Sequence, residues 1–352
     1  MRTLRIIAAV ALVAVVALTM AGCGGKGSVN MTSGKVYYHR NQDYARAELK
    51  FRDAIAEDPS NWEASFYLAL SLAQQGKFAE AGETFRATRS IAPPDKLAMI
   101  NDNQQTFFAD HFKAGLSAKD TNNFEEAAAE FERAVAVDPD EPNGYINLAY
   151  AYEKLGMDDK SLEATKKAVQ ADSMSFYAWA NLGTAYRATK QDDLAAEAFM
   201  RVIALSPTDE NIKFSSLASL GDIMFAKKDY EKALQYYTQA AEVKSEEASL
   251  QYQIGAVHYQ AEAYTEAAAS FQRCAALAKD KDAALYNDAM YNLAAAYYNA
   301  KDYNAAVGTV EALLQSQDSA DAHELLGRIY GAMELKDKAI EEFRKAEALR
   351  GK

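Results

Sequence analysis

Residues 176–207 read FYAWANLGTAYRATKQDDLAAEAFMRVIALSP, and this stretch decides how the rest of the chain is read. Trp179, Leu182, Gly183 and Tyr186 recur at intervals of three or four, which places them on one face of an α-helix. Ala195, Phe199 and Val202 do the same in a second segment. Lys190, Gln191 and Asp192 form the polar turn between the two. Pro207 stops the second helix, because its nitrogen has no hydrogen to donate. The expected unit is therefore two short helices laid back to back, with small residues where they approach most closely and large ones filling the gaps.

Moving this template along the chain finds the small residue of Gly183 again at Ala69, Gly115, Ala149, Gly221, Gly255, Ala294 and Gly327, with Lys35 as a degenerate first member. The intervals are 34, 46, 34, 34, 38, 34, 39 and 33 residues. A second pattern confirms the register: Ala47, Phe51, Ala54; Ala81, Phe85; Ala127, Phe131, Ala134; Ala233, Tyr237, Ala240; Ala267, Phe271, Cys274; Ala339, Phe343, Ala346. The order Trp, Leu, Gly, Tyr, Ala, Phe, Pro at these spacings resembles the tetratricopeptide repeat, whose period is about 34 residues. The resemblance implies an all-α, right-handed superhelical solenoid of about nine helix-turn-helix units, near 31–59, 62–93, 108–139, 142–173, 176–207, 214–245, 248–279, 287–318 and 320–352. The first unit, with Lys35, Tyr37 and Tyr38, is expected to act as a weakened terminal cap. Pro94 to Thr106 is expected to be a surface loop, or a flap over the groove, although NDNQQT can also prolong the next helix at its start. Shorter insertions near Thr208 to Ile212 and Asp280 to Ala283 read as solvated linkers.

At 352 residues, 49% hydrophobic and 25% charged, the chain is long enough for a large core, distributed as a seam between neighbouring units. Residues 1–22 are of a different kind. Arg2 and Arg5 precede an apolar run from Ile6 to Met20, too short to span a bilayer. Met20, Ala21, Gly22, Cys23 resembles the lipobox of bacterial lipoproteins, with Met20 a departure from the usual Leu. The resemblance implies a signal peptide at 1–22 and acylation of Cys23, which would tether the protein to a membrane through residues 23–30. An ordinary signal peptide with a chance cysteine is the plainer alternative. Gly24 after the cysteine implies the outer membrane, periplasmic face, in a cell with two membranes. With Cys23 so used, Cys274 is left without a disulfide partner.

No catalytic arrangement is visible, and neither a cofactor nor a metal is expected. His39, His111, His258 and His323 fall in different units without ligand spacing, and His111 and His323 occupy the aromatic packing position of Trp179. Glu125-Glu126, Glu246-Glu247 and Glu341-Glu342 read as pairs that start second helices or line their solvent faces. Loss of residues 1–22 removes Arg2 and Arg5 and no acid, moving the net charge from −12 to −14. Such a charge repels phosphate backbones, so nucleic acid is not an expected partner.

What remains is the wall made by the first helices. The resemblance implies that the position two residues before the small site points into the groove; here it holds Asn147, Asn181, Ser219, Gln253 and Asn292. Amides both donate and accept, so such a row suits an extended peptide backbone. Tyr252, Tyr259, Tyr291, Tyr298 and Asn299 are expected to flank it. Lys and Arg at these places are confined to Lys113, Arg187 and Arg328, so the basic clamp by which some relatives grip a terminal carboxylate is not expected. The first expectation is a non-enzymatic scaffold for cell-envelope proteins, similar in plan to repeat lipoproteins of outer-membrane, pilus or cell-wall assembly. The alternative is a subunit recognising a glycan or another small ligand. Ile340, Phe343 and Leu349 on the last helix are expected to be partly exposed and to offer a face for self-association.

Overall fold

The computed structural model of the chain describes residues 28–351. The segment 1–22, expected to be a signal peptide, and Cys23, expected to be acylated, lie outside the described residues. The chain divides into two compact units, residues 1–104 and 105–352. In the first, α1 (Val29–Val36) pairs with α2 (Tyr44–Glu57), and α3 (Trp62–Gln74) with α4 (Phe78–Ile91). Helix α5 (Leu97–Asp120) crosses the division and packs, in the second unit, on α6 (Phe124–Val137). Six further pairs follow: α7 (Pro142–Lys154) with α8 (Asp158–Ala171), α9 (Phe176–Ala188) with α10 (Asp192–Ala204), and α11 (Glu210–Ala226) with α12 (Tyr230–Val243). The last three are α13 (Ala248–Gln260) with α14 (Tyr264–Ala278), α15 (Ala283–Asn299) with α16 (Tyr303–Ser316), and α17 (Ala320–Ala332) with α18 (Lys336–Arg350). There is no strand among the described residues.

Close approach explains the recurring glycine. A Cβ added to Gly183 would lie 2.7 to 2.9 Å from the ring of Phe199, sixteen positions later, and Gly115 meets Phe131 and Gly255 meets Phe271 in the same way. The rings so covered are fully buried: Phe131 is 0% and Phe271 1% exposed. These repeats thus close on an aromatic ring laid flat against bare backbone, where dispersion contacts are densest, whereas Ala149 and Ala294 have Thr165 and Val310 at the same spacing.

The first repeat corrects the sequence reading. Its small residue is Gly34, not Lys35: a Cβ there would lie 2.5 Å from Cε1 of Phe51. That ring is seventeen positions on rather than sixteen. The extra residue is taken up by a π-helical turn at Tyr37–Asn41, which continues α1. The first unit is therefore a complete repeat, with Met31 and Gly34 buried.

The insertions are corrected as well. Pro94 to Thr106 is neither loop nor flap, and the run NDNQQT does prolong the next helix at its start: after one short turn at Pro94–Lys96, α5 runs unbroken for 24 residues. No proline or glycine interrupts it before Gly115, and Ile100 and Gln104 are buried at 0% and 1% exposure. Of the two expected linkers, Thr208, Asp209 and Asp280 to Asp282 do lie between helices, but the insertions also lengthen α11 and α15 to 17 residues, against 13 for α3, α7, α9, α13 and α17. Four added residues are about one helical turn, so the apolar stripe keeps its phase.

Every turn between paired helices holds one residue in the left-handed region: Gln42, Gly76, Asn122, Gly156, Lys190, Lys228, Glu262, Lys301 and Glu334. The residue after it closes the turn, as where the Asp229 N–H donates to the Met224 carbonyl at 2.9 Å. Asp229 then caps α12, its Oδ1 accepting from the Lys232 N–H at 3.2 Å. Lys228 has φ +62°, a conformation that costs a side-chain-bearing residue on the order of 1 kcal/mol and glycine little. Lys228→Gly is therefore expected to raise stability by about 1 kcal/mol, read as an upward shift of the denaturant midpoint.

Candidate functional site

The five positions expected to line the groove lie half-buried on successive first helices: Asn147 on α7, Asn181 on α9, Ser219 on α11, Gln253 on α13 and Asn292 on α15. Their amides are already partly engaged. The side-chain NH2 of Asn147 donates to the Asn143 carbonyl at 3.0 Å, that of Asn181 to Tyr177 at 2.8 Å, and those of Asn292 and Asn299 to Asp288 and Ala295 at 2.9 Å. A backbone carbonyl only accepts, so the amide nitrogen must face the helix and Oδ1 is the atom left to face away from it.

Side chains also tie neighbouring first helices together. Lys119 Nζ on α5 donates to Asn147 Oδ1 at 3.0 Å. Asn292 and Asn299 donate back to the hydroxyls of Tyr252 and Tyr259 at 2.9 and 2.7 Å. Arg187 on α9 reaches Ser219 Oγ and Asp222 Oδ2 on α11, both at 3.4 Å. Asp222 Oδ1 further accepts from Gln253 at 3.0 Å and from the Tyr237 hydroxyl at 2.7 Å. Burial, and after it Asp222, pushes the Tyr237 phenol well above its ordinary range, so it stays a donor. Sequence reasoning missed Asp222. The signal was Tyr237 itself, a hydroxyl where the other repeats of clear pattern carry Phe, which demands a partner inside the wall.

A cavity of about 510 Å³ opens among α7 to α11. Tyr150, Glu153, Asn181, Thr184, Arg187 and Ser219 contribute to its lining. Asn181 and Ser219 are thus brought together there, while Asn147, Gln253, Asn292, Tyr252, Tyr259, Tyr291, Tyr298 and Asn299 are not part of it. Tyr150, 38% exposed, has Lys119 and Lys154 over its ring at 5.7 and 5.0 Å. Tyr291 remains 37% exposed, and Tyr298 packs on Tyr303 with the rings tilted by 50° and their centres 5.9 Å apart. Burial raises the Tyr252 and Tyr291 hydroxyls, with the carboxylates of Asp288 and Asp321 adding to it.

The histidines sit in packing or surface positions. His111 Nδ1 faces Glu130 at 2.7 Å. His323 is 9% exposed and lies between Glu342 on Nδ1 and Asp318 on Nε2, the latter at 2.8 Å. Among the described residues no group of three or more His, Cys, Asp or Glu is placed to hold a metal ion. Two carboxylate pairs differ from their expected places. Glu342 is 7% exposed under His323 rather than on a solvent face, and Glu246-Glu247 precede α13, a first helix. On α18, Ile340 and Phe343 are 50% and 42% exposed and Leu349 is half-buried.

Tetratricopeptide repeat families match residues 37–96, 115–156, 142–173, 176–209, 219–283, 288–317 and 320–352, and the chain belongs to the tetratricopeptide repeat proteins. That fold is a protein–protein interaction scaffold, non-catalytic in plan, and the partners it generally takes are other proteins. The chain is 25% identical to the Protein CTR9 homolog of Arabidopsis thaliana over 50% of its own length and 16% of that protein's. It is 24% identical to Anaphase-promoting complex subunit 3 of Schizosaccharomyces pombe over 62% of its length and 27% of that protein's. It thus spans well under a third of either relative. Among solved structures, the C-terminal part of a TPR repeat-containing protein from Cytophaga hutchinsonii matches with a TM-score of 0.58 at 18% identity, covering 68% of this chain and 95% of that one. That likeness concerns the fold.

Proposed function

We propose that the protein is an exported, lipid-anchored, non-enzymatic scaffold that holds extended segments of cell-envelope proteins against its first-helix wall, in the assembly of an outer-membrane, pilus or cell-wall complex. The observation that carries the binding part is the cavity among α7 to α11, where Asn181 keeps its Oδ1 without a hydrogen-bond partner among the described residues beside the half-exposed Tyr150. Such a recess offers rigid aromatic area and an unspent polar atom together, the combination an extended peptide needs for anchoring and register. The anchoring part rests on Arg2, Arg5, the apolar run from Ile6 to Met20, and Cys23. An acyl chain contributes roughly 0.8 kcal/mol per buried methylene, enough for reversible attachment.

A photo-crosslinking residue at Thr184, inside the cavity, is expected to trap a discrete protein partner on native membranes, whereas the same residue at Leu194 on α10 is expected to trap none. Equal labelling at both places, or adducts to glycan alone at Thr184, would count against the peptide reading. Cys23→Ser is expected to release the processed protein from membranes, and retention of a processed Ser variant would remove the anchoring argument.

A further inference from the structure

We infer that the segment held by this wall is basic: an extended chain whose Lys or Arg side chains donate to the outward amide oxygens and carboxylates of α7 to α15. The inference rests on the proposed use of the first-helix wall and names the chemistry of its occupant. Four asparagines on that wall spend an NH2 donor on the carbonyl four residues back, and Asn292 and Asn299 spend the second on a tyrosine hydroxyl. What they offer outward is Oδ1, an acceptor. The wall already shows what such atoms take. Asn147 Oδ1 receives the ammonium of Lys119, and Asp222 receives the guanidinium of Arg187. These two cations are thereby engaged with the chain's own acceptors, while Asn181 and Asn292 keep their Oδ1 without a hydrogen-bond partner among the described residues.

Charge points the same way. The lining of the cavity includes Glu153, paired with Lys154 at 3.3 Å, and Asp158 beside Arg187, and Asp288 and Asp321 lie close enough to Tyr252 and Tyr291 to raise their hydroxyls. The whole chain carries −12. An acidic segment would meet acceptors facing acceptors. A neutral one would bring only uncharged donors, from its backbone N–H groups and from Ser or Gln side chains. A basic one brings charge-assisted donors, which are roughly twice as strong as neutral ones.

Short fluorescein-labelled peptides that alternate Ser with Lys, Gln or Glu test this by anisotropy against the full chain in mild detergent at physiological ionic strength. The Lys peptide is expected to bind, the Gln peptide to bind at least about tenfold more weakly, and the Glu peptide not at all. Asn181→Ala combined with Asn292→Ala is expected to weaken the Lys peptide by about tenfold or more. Alanine is the best helix former, so α9 and α15 persist in that variant, and its net charge is unchanged. Undiminished binding of the Lys peptide to the variant would mean non-specific attraction and would overturn the inference. Preference for the Glu or Gln peptide, lost in the same variant, would overturn the basic occupant while leaving the peptide groove standing. Failure of all three peptides to bind would overturn both.

Discussion

Gly221→Ala is expected to destabilise the second unit by about 2 kcal/mol, whereas Gly308→Ala is expected to stabilise it by about 0.5–1 kcal/mol. The same methyl group acts with opposite sign because of what it meets. At Gly221 it would lie 2.5 Å from Cδ1 and 2.8 Å from Cζ of Tyr237. That ring cannot retreat: it is 1% exposed and its hydroxyl is held by Asp222 at 2.7 Å. Either α11 and α12 separate or the hydroxyl leaves its carboxylate, and both are costly in a close-packed interior. Nothing lies within 4 Å of the corresponding point at Gly308, in the middle of α16, so there the gain is that of replacing a helix-interior glycine. Denaturant unfolding of the two variants beside the parent gives both signs in one experiment. A neutral Gly221→Ala would show that the ring has room.

His323→Leu is expected to cost about 3 kcal/mol, concentrated in α17 and α18. The imidazole lies between Glu342 and Asp318, and Glu342 is itself buried at 7% exposure. Burial works to raise the Glu342 pKa, but hydrogen bonds from Lys345 and His323 outweigh it and hold the carboxyl below its ordinary value of 4.5. With leucine in place of the ring, the carboxylate keeps Lys345 as its partner at 2.8 Å and is pressed against an apolar group. Amide exchange in α17 and α18 should accelerate while α7 to α14 stay protected, because a repeat array opens locally. The sign of the pH effect follows from the depressed folded-state pKa. The stability supplied by Glu342 is complete above the unfolded value near 4.5 and is lost as pH falls through the folded value below it. Protection that is unchanged in the variant would remove the pair from the account of this hairpin.

The repeats were legible because two requirements leave marks at a fixed distance in most of them: a small residue, as at Gly183, and a large ring, as at Phe199. Amphipathic periodicity alone would not have set that register. The first repeat was misplaced by one residue, since a π-helical turn changes the spacing between Gly34 and Phe51 without changing composition. Pro93-Pro94 and the polar run after them hid how far α5 extends ahead of Phe108, because that added stretch buries only Ile100 and Gln104. The direction of the wall asparagines was equally hidden. Whether an amide faces its own helix or a ligand is decided by competition with the carbonyl four residues back, which residue type does not reveal. Asp222 escaped notice because its importance comes from Tyr237, Gln253 and Arg187, which lie on three other helices.

The lengthened helices carry a rule for redesign. Nature has extended α11 and α15 by four residues each, about 6 Å of axial rise, and the neighbours that pack on them still find the same stripe. Height can therefore be grafted onto this architecture in whole-turn steps, as courses are added to a brick wall. A two-residue graft ahead of α9 would swing Trp179 and Asn181 about 200° around the axis relative to the preceding repeat, putting oil in water and amides in the seam.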